Sequence, residues 1–364
     1  MGALRPHNQK GKTMKKRNKN KIKNDGKYYF SDRIRSQRFS PYVEMVIDAM
    51  EKAKNTNYKW TSGLTDSLVN NGWPVRMADP TGENWTHYNG INVFTLSMHM
   101  SINGFKSNKY ATDKAWYKLG SNVKIKDDQK GNATVSLYWF RGQFEKETDP
   151  NDGKEKDVCI RKPCWKCYFV YNRDQMEGLP EEKKPLIMTT QEIINSVPLD
   201  NKIKMVEKFL NAQNVTLKHS DQGAFYNIDQ DFINMPHKDH YVGTSVLDSE
   251  QTYYSTLLHE HVHATGAKKR LNRKHFRSKD KSKTYAEEEL VAEIGSAIAC
   301  SQLGIITDPS NQFDDHGAYL NGWIKSIKEK EDALIWAFHN AIKAFKYMES
   351  NYPKDAIFEN DKVA

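Results

Sequence analysis

The spacing of apolar positions separates the chain into segments of different kinds. Ser40-Pro41 sets a capping residue before a proline at the first helical position, and Val43, Val46, Ile47 and Met50 then recur at helical spacing, predicting an amphipathic helix to about Lys54. From Gly72-Trp73-Pro74 to Asn89-Gly90, proline, glycine and asparagine punctuate a loop that ends in the apolar segment Ile91 to Leu96. Strand-like runs follow at 122–126, 133–140 and 167–172, so the first part reads as an α+β unit. The polar, Pro- and Gly-bearing stretch 172–185 reads as a connection, and Thr189-Thr190-Gln191-Glu192 is a capping box opening a helix through Ile193 and Ile194. Ala224-Phe225-Tyr226 and Phe232 to Pro236 look like two short strands, a small sheet. The remainder is helical: a pattern with Leu290, Ile294, Ala297 and Ile298, a helix near Ala318 to Ser326, and one from about Glu331 to Met348 striped by Leu334, Ile335, Phe338, Ile342, Phe345 and Met348. The pattern gives a basic tail over 1–38, an α+β domain over 39–178, a linker over 179–188, a mostly helical domain with a small sheet over 189–352, and a C-terminal tail over 353–364. No internal repeat is visible.

At 364 residues, with 38% hydrophobic and 11% aromatic positions, the chain has the material for two cores. No apolar run approaches the roughly 20 residues that cross a bilayer, and no apolar h-region follows the basic first residues. Four cysteines in this length do not make a disulfide framework. The expectation is a cytoplasmic protein without a membrane partner. Cys164-Trp165-Lys166-Cys167, with Cys159 nearby, is better read as thiols than as a structural zinc site, which needs four ligands.

Charge changes the picture in three places. Residues 1–24 hold nine Lys or Arg and no acid. The net charge of +9 resides in that tail, because 46 basic residues balance 46 acidic ones in the rest. Such a run reads as a disordered arm attracted to phosphate backbones, or as a solubilising arm. Within 104–130, seven lysines face three aspartates and aromatic residues are interleaved, with Trp85 and Tyr88 just upstream. A positive groove with stacking faces is what single-strand binding requires, and the candidate contacts are Trp85, Tyr88, Lys106, Lys109, Lys114, Trp116 and Lys118. The segment 268–283 holds nine basic residues against Asp280, a solvated loop or an attractor for an acidic substrate or DNA.

The chemistry concentrates at His259-Glu260-His261-Val262-His263. On a helix, His259 and His263 project from one face, the spacing two imidazoles need to share a metal ion, and Glu260 is placed to act on a water rather than to ligate. This is the HExxH zincin signature. A catalytic zinc usually takes three protein ligands. Lys269 stands where the HExxHxxGxxH variant would put a third histidine, so that variant is excluded. Glu289 and Glu293, four apart on the next helical pattern, are the alternatives: one would ligate and the other would hydrogen-bond a ligating histidine. By analogy with zincins, Glu289 is taken as the ligand and Glu293 as its support. His261, two residues on from His259, points away and reads as a core or surface histidine.

These residues resemble the ArdC-type antirestriction proteins of plasmids and phages. In the first domain the likeness lies in Pro80-Thr81-Gly82, Tyr88-Asn89-Gly90-Ile91-Asn92, Leu119-Gly120 and Tyr171-Asn172-Arg173-Asp174-Gln175. In the second it is denser, covering Ala224 to Tyr226, Asp231 to Pro236, Thr256 to Glu260, His263, Thr265-Gly266, Arg270-Leu271, Arg273, Tyr285 to Gly295 and Leu303-Gly304-Ile305. The resemblance implies an N-terminal domain that binds single-stranded DNA and a zincin-like metallopeptidase domain, in proteins that shield incoming DNA from restriction. It implies Zn²⁺, or another divalent ion such as Mn²⁺, at His259, His263 and Glu289, with Glu260 as general base on a protein substrate. A rival expectation is a DNA-protecting protein whose zincin domain is a non-catalytic scaffold.

Overall fold

The computed structural model describes residues 40–54, 60–140, 142–148, 155–161, 164–181, 196–242, 249–273, 281–305, 316–329 and 331–352. The basic tail, the capping box at 189–192 and residues 274–280 of the basic loop lie outside them.

Three helices open the structure: α1 (Ser40–Lys54), α2 (Ser62–Asn71) and, after strands β1 (Val75–Met77) and β2 (Trp85–His87), α3 (Ile91–Asn103). The apolar segment at Ile91 is thus the start of a helix. Nine of its residues are buried, Ile91 to Met98 without a break, so no polar face interrupts the run and the 3.6-residue period is invisible. Gly104 ends it in the left-handed conformation (φ 65°), where Phe105 donates its N–H to Met100 O at 3.0 Å.

Strand β3 (Lys109–Ala111) leads to a short helix, α4 (Asp113–Tyr117), whose orphan Ala115 N–H is taken by the Thr112 hydroxyl at 3.2 Å. Next come β4 (Lys124–Ile125), β5 (Thr134–Phe140), β6 (Gln143–Thr148), β7 (Glu155–Arg161), β8 (Cys164–Asn172) and β9 (Met176–Glu177). A mixed five-stranded sheet has the order β2-β1-β3-β8-β5, parallel only between β1 and β3, while β4 pairs with β9 and β6 with β7. The edge strand β5 is tied to α3 by Asn92, whose amide donates to Leu137 O and whose carbonyl accepts from Leu137 N, both at 2.7 Å. Ala111, Trp116, Val123, Ile125 and Met176 form a small separate core.

The second half begins with α5 (Leu199–Asn211), followed by β10 (Thr216–His219), β11 (Phe225–Asn227) and β12 (Phe232–Met235) in the order β10-β12-β11. The helices α6 (Ser249–Thr265), α7 (Lys281–Leu303), α8 (His316–Glu329) and α9 (Glu331–Asn351) complete it. The larger core runs through both halves. Phe94 of α3 meets Phe338 of α9 with ring centroids 4.4 Å apart, Trp73 stacks on Phe345 at 6.3 Å, and Leu64 and Leu68 of α2 join the same apolar cluster as Leu290 and Ile294 of α7. Each large apolar side chain sealed this way contributes on the order of 1.5–3 kcal/mol, so the first three helices brace the helices behind the metal candidates. Among the described residues no helix is long and apolar enough to cross a membrane.

Candidate metal centre

Fourteen of the 17 residues of α6 are buried, because the helix is enclosed by α5, α7, α9 and the three-stranded sheet. It stops at Thr265-Gly266, and two arginines satisfy its last carbonyls. Arg270 donates to Ala264 O at 3.0 Å and Arg273 to Val262 O at 2.7 Å, placing cationic groups where the helix dipole favours them. Gly295 of α7 faces Val262, and a Cβ there would sit 2.8 Å from Val262 Cγ1. A mid-helix glycine costs about 1 kcal/mol relative to alanine. Here it lets α6 and α7 approach closely.

That approach gathers the ligand candidates. His259 Nε2 and His263 Nε2 are 3.1 Å apart, and the two oxygens of Glu289 lie 3.4 Å from one and from the other. An ion held tetrahedrally by bonds of about 2.1 Å separates its ligand atoms by roughly 3.4 Å, so the three donors already stand at the spacing a single ion requires. All three residues are buried, and among the described residues this is the group of histidine, cysteine and carboxylate side chains able to hold a metal. Two neutral nitrogens and one carboxylate suit zinc, and manganese as well.

The far side of each imidazole is also occupied. Glu293 Oε1 lies 3.6 Å from His259 Nδ1, and Glu288 Oε1 lies 3.4 Å from His263 Nδ1. Glu288 carries no expectation from the sequence. It is clamped by Arg273, whose Nε lies 3.1 and 2.9 Å from its two oxygens and whose Nη2 also donates to it. Arg273 Nη1 then reaches Thr265 Oγ1 at 2.6 Å. Only a fold that returns 273 against the helix containing 288 makes this visible; the residual sequence signal is the run Glu287-Glu288-Glu289 at the head of a largely apolar stretch, Leu290 to Cys300, that holds Glu293.

The electrostatics follow. Burial disfavours ionised Glu289, yet His263 and His259 more than offset it and hold the carboxyl well below its usual range. Burial likewise opposes the Glu288 charge, and Arg273 reverses that effect. His263 is pushed up against the burial penalty, mainly by Glu289 and then Glu288. The cluster therefore concentrates negative potential where a cation would be coordinated. Glu260 behaves oppositely: buried beside the site, it is raised by desolvation, and it accepts the Tyr226 backbone N–H. His261 is a core residue with its Nδ1 2.8 Å from Leu257 O, and burial depresses it to about 4.

Family models give this arrangement its context. The N-terminal domain of anti-restriction factor ArdC matches residues 37–171, and a zincin-like metallopeptidase matches residues 204–340. The fold is similar to crystal structures of the antirestriction protein ArdC from plasmid R388. The metal-free form is 28% identical over 79% of this chain and 96% of that one, with a TM-score of 0.54. The Mn(II)-bound form is 26% identical over 87% and 98%, with a TM-score of 0.59. The chain belongs to the ArdC antirestriction family. Like that family it joins an ArdC N-terminal domain to a zincin-like domain, and the Mn(II)-bound relative is consistent with a metal site here. Among curated relatives, a DNA primase TraC of Escherichia coli is 30% identical over 296 residues, and the protein y4eC of Sinorhizobium fredii is 23% identical over 263 residues. The match covers 78% of this chain and 24% of that primase, against 72% and 78% for y4eC. The chain thus spans about a quarter of that primase.

The expected DNA contacts are only partly displayed by this ArdC fold. Trp116 is fully buried, with its Nε1 donating to Tyr171 O at 3.0 Å, and Tyr88 is 6% exposed. Neither ring can stack on a base. Trp116 lies among the lysines of 104–130 and Tyr88 just upstream of them, but Trp116 fills the small core and Tyr88 joins the large one. Trp85 is half-buried, tilted on Trp116 at 5.7 Å, with Lys109 Nζ 5.0 Å from its ring. Lys106, Lys114 and Lys118 are exposed.

Proposed function

We propose that the chain protects incoming mobile-element DNA from restriction, binding single-stranded DNA through its N-terminal half (39–178) and carrying a zinc-dependent peptidase centre in its C-terminal half (189–352). The observation that carries the second part is the spacing of 3.1–3.4 Å among His259, His263 and Glu289 with Glu260 buried beside them. In this reading those three residues hold Zn²⁺, with Mn²⁺ as the alternative the same donors accept. Bound there, the ion supplies a Lewis acid for a peptide carbonyl and acidifies a water. Glu260 takes the proton of the attacking water and returns it to the leaving amine, and desolvation, which raises its carboxyl, makes it a stronger base. Glu293 and Glu288 fix the orientation of the two imidazoles. The N-terminal part is supported by the ArdC domain match and by the relatives named as antirestriction and primase proteins.

The test is a comparison of the full chain with Glu260→Gln and His263→Ala. Elemental analysis should find metal in the first variant and none in the second, and only the unsubstituted chain should cleave an unstructured protein such as casein. Metal-loaded protein that cleaves nothing, and protects DNA as well as Glu260→Gln does, would leave the zincin domain a scaffold.

A further inference from the structure

The N-terminal half has a second aromatic surface, away from the expected DNA contacts. β5 leads into β6 and β7 into β8, with β5 paired to β8 and β6 to β7, the connectivity of one two-stranded ribbon in two segments. Ser136 stands opposite Tyr168 and Tyr138 opposite Lys166. Opposed residues share a face and diagonal neighbours lie roughly 7–8 Å apart, so Tyr138, Lys166 and Tyr168 form one group. Tyr138 is 54% exposed and Tyr168 46%, with Phe144 at 51% further along, while Phe169, 47% exposed, faces the other side of the ribbon. Large aromatic side chains displayed in series on one element mark a contact surface.

Charge says what the surface fits. Residues 134–144 and 158–170 hold four basic residues and no acid, whereas the paired outer segments 145–148 and 155–157 hold four acids against two lysines. The exposed rings therefore sit in a wholly basic section bounded by an acidic one. An apolar peptide has no use for the excess charge, and a duplex keeps its base faces stacked out of reach. Unpaired nucleotides use both features.

We propose that single-stranded DNA lies on this inner section of the ribbon, with bases stacked on Tyr138 and Tyr168 and phosphates against Lys166 and Arg161. The assignment rests on the reading that the N-terminal half binds single strands, and it names where. The outer acidic section repels the backbone and limits the length of strand engaged.

The test is fluorescence anisotropy of the full chain with a labelled single-stranded oligonucleotide and its duplex, over a range of salt. Each of Tyr138→Ala and Tyr168→Ala should weaken single-strand binding about 5- to 100-fold, as loss of one stacking partner does. Tyr138→Phe and Tyr168→Phe should retain it, and duplex binding should be unchanged. Lys166→Ala should lower the log-log salt slope by about 0.7. Circular dichroism of the alanine variants should match the parent, since both tyrosines are largely exposed; the phenylalanine pair reads the same contrast without any loss of bulk. A parent chain that binds single strands equally well after both alanine substitutions overturns the ribbon assignment while leaving single-strand binding intact. A parent chain that binds no single strand overturns both.

Discussion

Replacing Arg273 by methionine isolates the unforeseen half of the metal centre. Arg273 and Glu288 are 2% and 5% exposed, and the guanidinium contacts both carboxylate oxygens, so the pair is fully desolvated. Removing the arginine leaves a buried carboxylate whose neighbour at 3.4 Å is His263, and a buried charge stripped of its partner typically costs about 3–5 kcal/mol. The chain relieves that cost by protonating Glu288, which then no longer draws on the His263 Nδ1 proton, and metal affinity should fall about 10- to 100-fold. The double variant Arg273→Met/Glu288→Met removes both charges and should recover most of the lost stability. It should not recover metal affinity, because nothing then orients His263. Urea denaturation of the metal-free chain measures the first quantity, and competition with a chelator of known affinity measures the second. If Arg273→Met costs less than about 1 kcal/mol, or if the losses of the single variants simply add in the double, the two residues are not coupled in the way the geometry requires.

Three further outcomes follow from other parts of the structure. Glu289→Ala should abolish metal binding while Glu293→Ala weakens it about 10- to 100-fold, and the reverse order in a metal titration would exchange their roles. Trp116→Ala should lower stability by about 3–5 kcal/mol and leave single-strand affinity of the folded chain unchanged, as shown by denaturation and anisotropy on one preparation. Burial depresses His99 to about 4, with its Nδ1 3.0 Å from the Tyr110 hydroxyl. The unfolded chain takes that proton near pH 6.5, so stability is complete above 6.5 and falls as pH drops towards 4, by up to about 3 kcal/mol. His99→Gln should flatten that part of the urea-measured profile relative to the parent.

The sequence by itself determined what is local and periodic. A four-residue separation on a helix puts His259 beside His263 and Glu289 beside Glu293 whatever surrounds them, so the histidine pair and the two glutamate alternatives were legible for that reason, and the choice of Glu289 came from analogy with zincins. The striped helix at 331–348 and the first helix were readable because each buries one face and exposes another, and the strands at 133–140 and 167–172 were readable from their runs of β-branched and aromatic residues. Tertiary structure decided whatever depends on returning chain. α3 carries no stripe over Ile91 to Met98 because that stretch is buried all round, and no period betrays such a segment. Glu288 became a partner of His263, and Arg273 its clamp, only when α7 packed on the end of α6, with Gly295 permitting the distance. The same holds for the aromatic residues. Trp116 and Tyr138 are alike in sequence, each an aromatic residue among apolar or basic neighbours. Packing alone sealed one beneath the sheet and left the other on an open ribbon, because burial belongs to the surface a segment meets and not to the segment.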